Sequence, residues 1–232
     1  PTPSIVAVPS STICSGNTIT LLPNLKGKFN YEWSNGSTNS QLLVNPGSTT
    51  SYWLKVNNGM ISFSDTITVT VKNTPSPASS ITVTGGSAAV CPGETRIYST
   101  PFTAGITYNW TLPAGSHFIN GQNTNTINVQ YDAAFTAPGT LSVIKSKNGC
   151  SSAPKNSSVL RNDPPSSITT FGPTTFCSGT TPLTLTANSN INFTYKWKKG
   201  SNFISGATGI SYLPSASGTY RVEVTNNLGC NK

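Results

Sequence analysis

Apolar residues alternate with Thr, Ser, Asn and Gln along much of the chain. Ile67, Val69 and Val71 are interleaved with Thr, Ile127, Val129 and Tyr131 with Asn and Gln, and Leu183 and Leu185 with Thr. A period of two buries one face of a strand and wets the other, which predicts antiparallel strands with a single covered face. The dipeptides Asn35-Gly36, Asn58-Gly59, Asn120-Gly121 and Asn148-Gly149 mark turns between the runs. Gly and Pro together number 37 of 232 residues, so few windows are long enough for a helix of about 12 residues. The longest apolar run, Ala88-Ala89-Val90-Cys91, is far short of the roughly 20 residues that span a bilayer. The pattern predicts an all-β chain that is not membrane-embedded.

Three short anchors recur in one order, and they divide the chain. Cys-x-Gly appears as Cys14-Ser15-Gly16, Cys91-Pro92-Gly93 and Cys177-Ser178-Gly179. Tyr-x-Trp follows as Tyr31-Glu32-Trp33, Tyr108-Asn109-Trp110 and Tyr195-Lys196-Trp197, with its Trp 19, 19 and 20 residues after the cysteine. A closing anchor reads Asn148-Gly149-Cys150 and Leu228-Gly229-Cys230, with Asn58-Gly59-Met60 in the first copy. Such spacing predicts three homologous domains, 1–73, 74–162 and 163–232, the third stopping before its last strand. Thr74-Pro75-Ser76-Pro77 and Asp163-Pro164-Pro165 lie at the joins and read as short, stiff linkers.

Composition removes most chemistry. Hydrophobic residues are 35% and charged residues only 9%, the difference being made up by Ser, Thr and Asn, which supply 90 of 232 residues. Thr and Ser on an exposed strand face keep β propensity without charge. The six acids, Glu32, Asp65, Glu94, Asp132, Asp163 and Glu223, fall two to a repeat and form no close pair for general acid–base work and no calcium loop. His117, the only histidine, reads as an edge residue, and no His/Cys group has zinc spacing. No catalytic residues, cofactor or metal are expected. The net charge of +8 is spread as +2, +3 and +3 over the repeats, and nothing resembles a nucleic-acid motif. Its one cluster is Lys196, Lys198 and Lys199 around Trp197, where alternation turns Lys196 and Lys198 away from the Trp face. A salt-sensitive attraction to acidic polysaccharide is the functional reading of that cluster, and a solvated outer face the bland one.

The succession Cys-x-Gly, Tyr-x-Trp, Gly218-Thr219-Tyr220 and Asn-x-x-Gly-Cys resembles the immunoglobulin-like and PKD-like repeats of large Bacteroidota surface and secreted proteins. These include gliding-motility adhesins and type IX secretion cargo. The resemblance runs over all three repeats, with Met60 departing from the expected cysteine. It implies three tandem immunoglobulin-like β-sandwich domains arranged end to end, in an exported segment carried through the outer membrane to the surface or medium. The start carries no basic or apolar leader, and the chain reads as part of a longer one. Tyr31, Trp33, Tyr108, Trp110, Tyr195 and Trp197 are then core residues, with sugar stacking as the alternative for the Trp side chains. Trp53, beside Tyr52, points to the opposite face and is a candidate ligand contact. Asp65-Thr66-Ile67 looks like a Bacteroidota O-glycosylation signal at Thr66, while the sequons at Asn35, Asn109, Asn156 and Asn192 are expected by chance in so Asn- and Ser-rich a chain.

Five cysteines in an exported chain predict two disulfides and one thiol. Pairing within repeats gives Cys91–Cys150 and Cys177–Cys230. In an immunoglobulin-like sandwich, however, the loops before strand B and after strand F lie at opposite ends, while a disulfide needs its Cα atoms within about 7 Å. Pairing between repeats, Cys14–Cys150 and Cys91–Cys230, meets that limit and is favoured on an assumed strand order. It leaves Cys177 for a repeat beyond the chain. The functional expectation is a non-catalytic rigid rod of disulfide-stabilised domains in a surface filament, stalk or adhesin. Its partners would be neighbouring repeats and, through the basic cluster or Trp53, surface polysaccharide. A carbohydrate-binding module and a spacer in a secreted multidomain enzyme are the alternatives.

Overall fold

In a computed structural model of the chain, residues 4–85, 89–175 and 183–232 are described, and all their regular elements are strands. The chain divides into two compact units. One comprises Pro1–Ser80, Pro101–Asn109 and Val143–Lys155, the other Ile81–Thr100, Trp110–Ser142 and Asn156–Lys232.

In the first unit, Ile5–Val8, Ile19–Pro23 and Leu42–Val44 form a three-stranded antiparallel sheet. Thr12–Cys14, Ser62–Lys72, Thr50–Asn57 and Asn30–Trp33 form a four-stranded sheet in that order, with Thr12–Cys14 parallel to Ser62–Lys72. Pro9 lacks the N–H that a continuing ladder needs, so the first strand stops and the chain crosses to the other sheet. Ile5, Ile19, Leu21, Leu42 and Val44 of one sheet meet Ile13, Trp33, Leu54, Val56 and Val69 of the other in a shared core. Asp65 also lies on the inner side, where its carboxylate accepts the Ile5 amide at 2.7 Å and ties the two sheets at their rim. This is the immunoglobulin-like sandwich.

In the second unit, Ser116–Asn120, Thr126–Tyr131, Thr95–Ser99 and Thr82–Thr84 form a four-stranded antiparallel sheet. Ala89–Val90 pairs in parallel with the end of Lys155–Arg161, the same device as in the first repeat. Beyond Asp163 come two three-stranded sheets, Ile168–Phe171 with Thr184–Ala187 and Ser211–Tyr212, and Asn202–Phe203 with Thr194–Lys199 and Tyr220–Thr225. Leu183, Leu185 and Ala187 pack against Tyr195, Trp197, Val222 and Val224 between them. After Tyr220–Thr225 the chain turns, and Asn231 and Lys232 pair back onto Thr225 and Val224. The fold is therefore tandem immunoglobulin-like β-sandwiches. The four Asn-Gly turns anticipated from sequence all place glycine at positive φ, between 82° and 89°.

Candidate functional site

The distinctive chemistry of the chain lies at two disulfides, each built from a Cys-x-Gly turn and a closing turn one repeat later. Cys14 ends the strand Thr12–Cys14, in register with Lys72. The Ser15 amide donates to the Lys72 carbonyl at 2.8 Å, and Gly16 at φ 90° closes the turn. Thr74, at the start of the linker, donates its amide to the Ser15 hydroxyl and its own hydroxyl to the Ser15 carbonyl, both at 3.0 Å. The linker is thus stitched to the turn that carries the cysteine.

Its partner sits on a hairpin. Strand Gly139–Lys147 meets Cys150–Ser151 with Lys147 opposite Cys150, leaving Asn148-Gly149 as a two-residue loop. Asn148 and Gly149 have φ of 52° and 84°, the double positive-φ geometry that favours Asn-Gly in such loops. Cys14 and Cys150 are bonded, with Cα atoms 5.6 Å apart and a sequence separation of 136. The Lys72 ammonium donates to the Asn148 carbonyl at 3.2 Å, a second tie across the same junction.

The second junction repeats the plan with other residues. Cys91 and Cys230 are bonded with Cα atoms 5.2 Å apart, 139 residues separated. The Glu94 carboxylate accepts the Cys91 amide at 2.9 Å and pairs with Arg96, so the acid caps the Cys-x-Gly turn. Asn226 organises the other side. Its side-chain oxygen accepts the amides of Leu228 and Cys230 at 3.0 Å, and its side-chain amide donates to the Asn162 carbonyl at 2.7 Å. Cys150 and Cys230 are each 1% exposed, so both bonds are shielded from reductant on that side.

Pairing is therefore between repeats. The within-repeat alternative is corrected: Cys91 is bonded to Cys230 and not to Cys150. Cys177, the partner that alternative gave to Cys230, lies outside the described residues. The physical reason is the one that separates the two ends of a sandwich: the strand Gly139–Lys147 has nine residues, about 30 Å at 3.3 Å each, far beyond disulfide reach.

The Trp side chains are core residues that share a contact not anticipated from sequence. The indole N–H of Trp33 donates to the Asn39 carbonyl at 2.8 Å, that of Trp110 to the Thr124 carbonyl and that of Trp197 to the Gly209 carbonyl, both at 2.9 Å. All three rings are buried, which leaves none for sugar stacking. Tyr108 and Tyr195 are buried and donate to the carbonyls of Pro101 and Asn188. Tyr31 is only half-buried, at the margin of the first core, although it holds the same second position in its strand as Tyr108 and Tyr195. The accepting carbonyls belong to three different residue types, Asn39, Thr124 and Gly209, six, 14 and 12 residues beyond their Trp, so no sequence signal marks them.

Trp53 faces away from the core, half-buried, directly across the ladder from exposed Thr66, with the Lys55 ammonium 4.9 Å over its ring. His117 and Asp132 form a surface pair at 3.2 Å. Burial raises the Tyr131 hydroxyl far above its usual range, reinforced by the bond it donates to Tyr98 at 2.8 Å, and Tyr98 is raised by burial as well. Both stay protonated and serve as packing. Among the described residues no group of three His, Cys, Asp or Glu side chains could hold a metal, and no helix is long and apolar enough to cross a membrane.

Residues 75–159 match the model of a family described as PKD-like domain. No curated protein matches the chain. Among solved structures, murine CEACAM1b is similar at 15% identity over 69% of this chain and 98% of that one, with a TM-score of 0.39. An I-band fragment of titin is similar at 12% identity over 99% of this chain and 94% of the other, with a TM-score of 0.33. The first five immunoglobulin domains of Sidekick-1 are similar at 13% identity over 100% of this chain and 56% of that one, with a TM-score of 0.27. None of the matches indicates a catalytic family. The chain thus carries a PKD-like segment within disulfide-bonded, immunoglobulin-like sandwiches.

Proposed function

We propose that the chain is a non-catalytic structural segment of an exported surface filament, stalk or adhesin, in which successive repeats are bonded to one another as a stiff rod. The observation that supports this most is the pair of disulfides. A bridge within a repeat strengthens that repeat alone, whereas Cys14–Cys150 and Cys91–Cys230 tie the entry turn of one repeat to the closing turn of the next. Short proline linkers leave little slack at the same places, and Thr74 fastens the first of them to Ser15. The disulfides fit an extracellular or surface location, since such bonds persist outside the reducing cytosol. Each contributes about 2–4 kcal/mol by restricting the unfolded chain, which matters for domains of this size with small cores.

Pulling the chain from its two ends tests the reading. An oxidised chain that hides most of its length from load supports it. A chain that extends equally before and after reduction would be an ordinary spacer.

A further inference from the structure

The outer face of one sheet in the last repeat carries a feature that the structural role does not use. Thr194–Lys199 lies between Asn202–Phe203 and Tyr220–Thr225, and its inward residues Tyr195 and Trp197 are buried. Phe203, Lys198 and Arg221 stand in one row across the three strands, a width of about 10 Å at 4.8 Å per strand. Lys196 and Glu223 form the next row.

Phe203 is 55% exposed, and the ammonium groups of Lys198 and Lys196 lie 4.2 and 5.7 Å from its centre. Lys198 pairs with Glu223 at 3.0 Å, which balances both charges. Lys196 and Arg221 are exposed and make no ion pair among the described residues, the Glu223 carboxylate across the ladder from Lys196 being taken by Lys198. Beside the row, at its Arg221 end, lies a depression of about 610 Å³ whose lining includes Ser167, Ser201, Lys198, Arg221, Lys232 and the Glu223 carboxylate that Lys198 neutralises, with Phe203 and Lys196 outside it. The apolar ring and the two cations thus share the outer face of the sheet, and the hydroxyls line the depression at its Arg221 edge.

We infer that this face binds a linear acidic polysaccharide, with the apolar side of a sugar ring on Phe203, its carboxylates on Lys196 and Arg221, and its hydroxyls toward Ser167 and Ser201. The occupant is set by charge complementarity together with the exposed ring. A neutral glycan leaves the two cations unused, and a bare polyanion leaves the ring unused. This inference does not depend on the load-bearing role.

Titration of the whole chain with an oligogalacturonate, a dextran of equal length and a thymidine oligonucleotide of equal charge tests it. A linear polyanion releases about 0.7 counterion per neutralised charge, so two cations give about a sevenfold loss of affinity between 50 and 200 mM salt. The oligogalacturonate should bind with that dependence and dextran should not bind. Substituting both Lys196→Gln and Arg221→Gln should abolish the salt dependence, while Phe203→Ala should weaken binding at every salt concentration with the slope unchanged. Equal binding of dextran, equal binding of the oligonucleotide, or indifference to either substitution would overturn the inference. All three side chains are exposed, so the substitutions leave the core intact.

Discussion

Reducing the two disulfides while the chain is held at its ends converts connectivity into length. Fully reduced and unfolded, 232 residues reach about 830 Å at 3.6 Å each. Oxidised, the shortest covalent route runs from the first residue to Cys14, crosses to Cys150, returns to Cys91, crosses to Cys230 and ends at Lys232. That route has about 13, 59 and 2 residue steps, about 74 in all, and reaches only about 265 Å. Pairing within repeats instead leaves a route of about 90, 27 and 2 steps, about 119 in all, or about 430 Å. Optical tweezers with handles on both termini and the remaining thiol alkylated separate these lengths easily. The expected record is an oxidised contour near 265 Å and a gain of about 565 Å when reductant is added. An oxidised contour near 430 Å, or no gain on reduction, would refute the interlocked pairing and with it the load-bearing role.

Other consequences follow from single residues. Asn226→Ala removes two accepted bonds and one donated bond at the second junction, at about 1 kcal/mol each, so urea denaturation of the oxidised protein should show a loss of about 2–3 kcal/mol. Gly115→Ala should cost about 2 kcal/mol or more, since Gly115 has φ 76° and an added Cβ meets the Phe135 Cα at 2.6 Å; a thermal melt with unchanged midpoint contradicts that. Tyr98 and Tyr131 have hydroxyls raised above 10 in the folded chain, so the unfolded chain gives up its protons first as the medium turns alkaline. Stability is full below pH 10 and falls above it by up to about 1.4 kcal/mol per pH unit for each tyrosine. In Tyr131→Phe that slope, read from denaturation curves at pH 9 and 11, should be shallower.

The sandwiches were legible because burial in a two-layer fold writes a period of two into each strand, as at Ile67, Val69 and Val71. The Tyr-x-Trp anchor was legible for the same reason, two residues being one repeat of the pleat. What escaped notice depends on side chains far apart in sequence. Asn226 with Asn162, Thr74 with Ser15 and Asp65 with the Ile5 amide are single polar contacts, and nothing in local periodicity selects one Asn or Thr among so many. The splitting of the first strand between sheets follows from Pro9, a missing donor that the period-two pattern alone does not register. The face around Phe203 was half legible. Alternation turned Lys196 and Lys198 outward, but the register that sets Phe203 and Arg221 beside them comes only from the folded ladder.

Tryptic peptide mapping without reduction tests the central claim, covalent joining of one repeat to the next, because cleavage after Lys and Arg puts every cysteine on its own peptide. The expected masses link the peptide of Cys14 to residues 148–155, which carry Cys150, and residues 73–96, which carry Cys91, to residues 222–232, which carry Cys230. A linked pair of residues 73–96 with residues 148–155, joining Cys91 to Cys150, would contradict it.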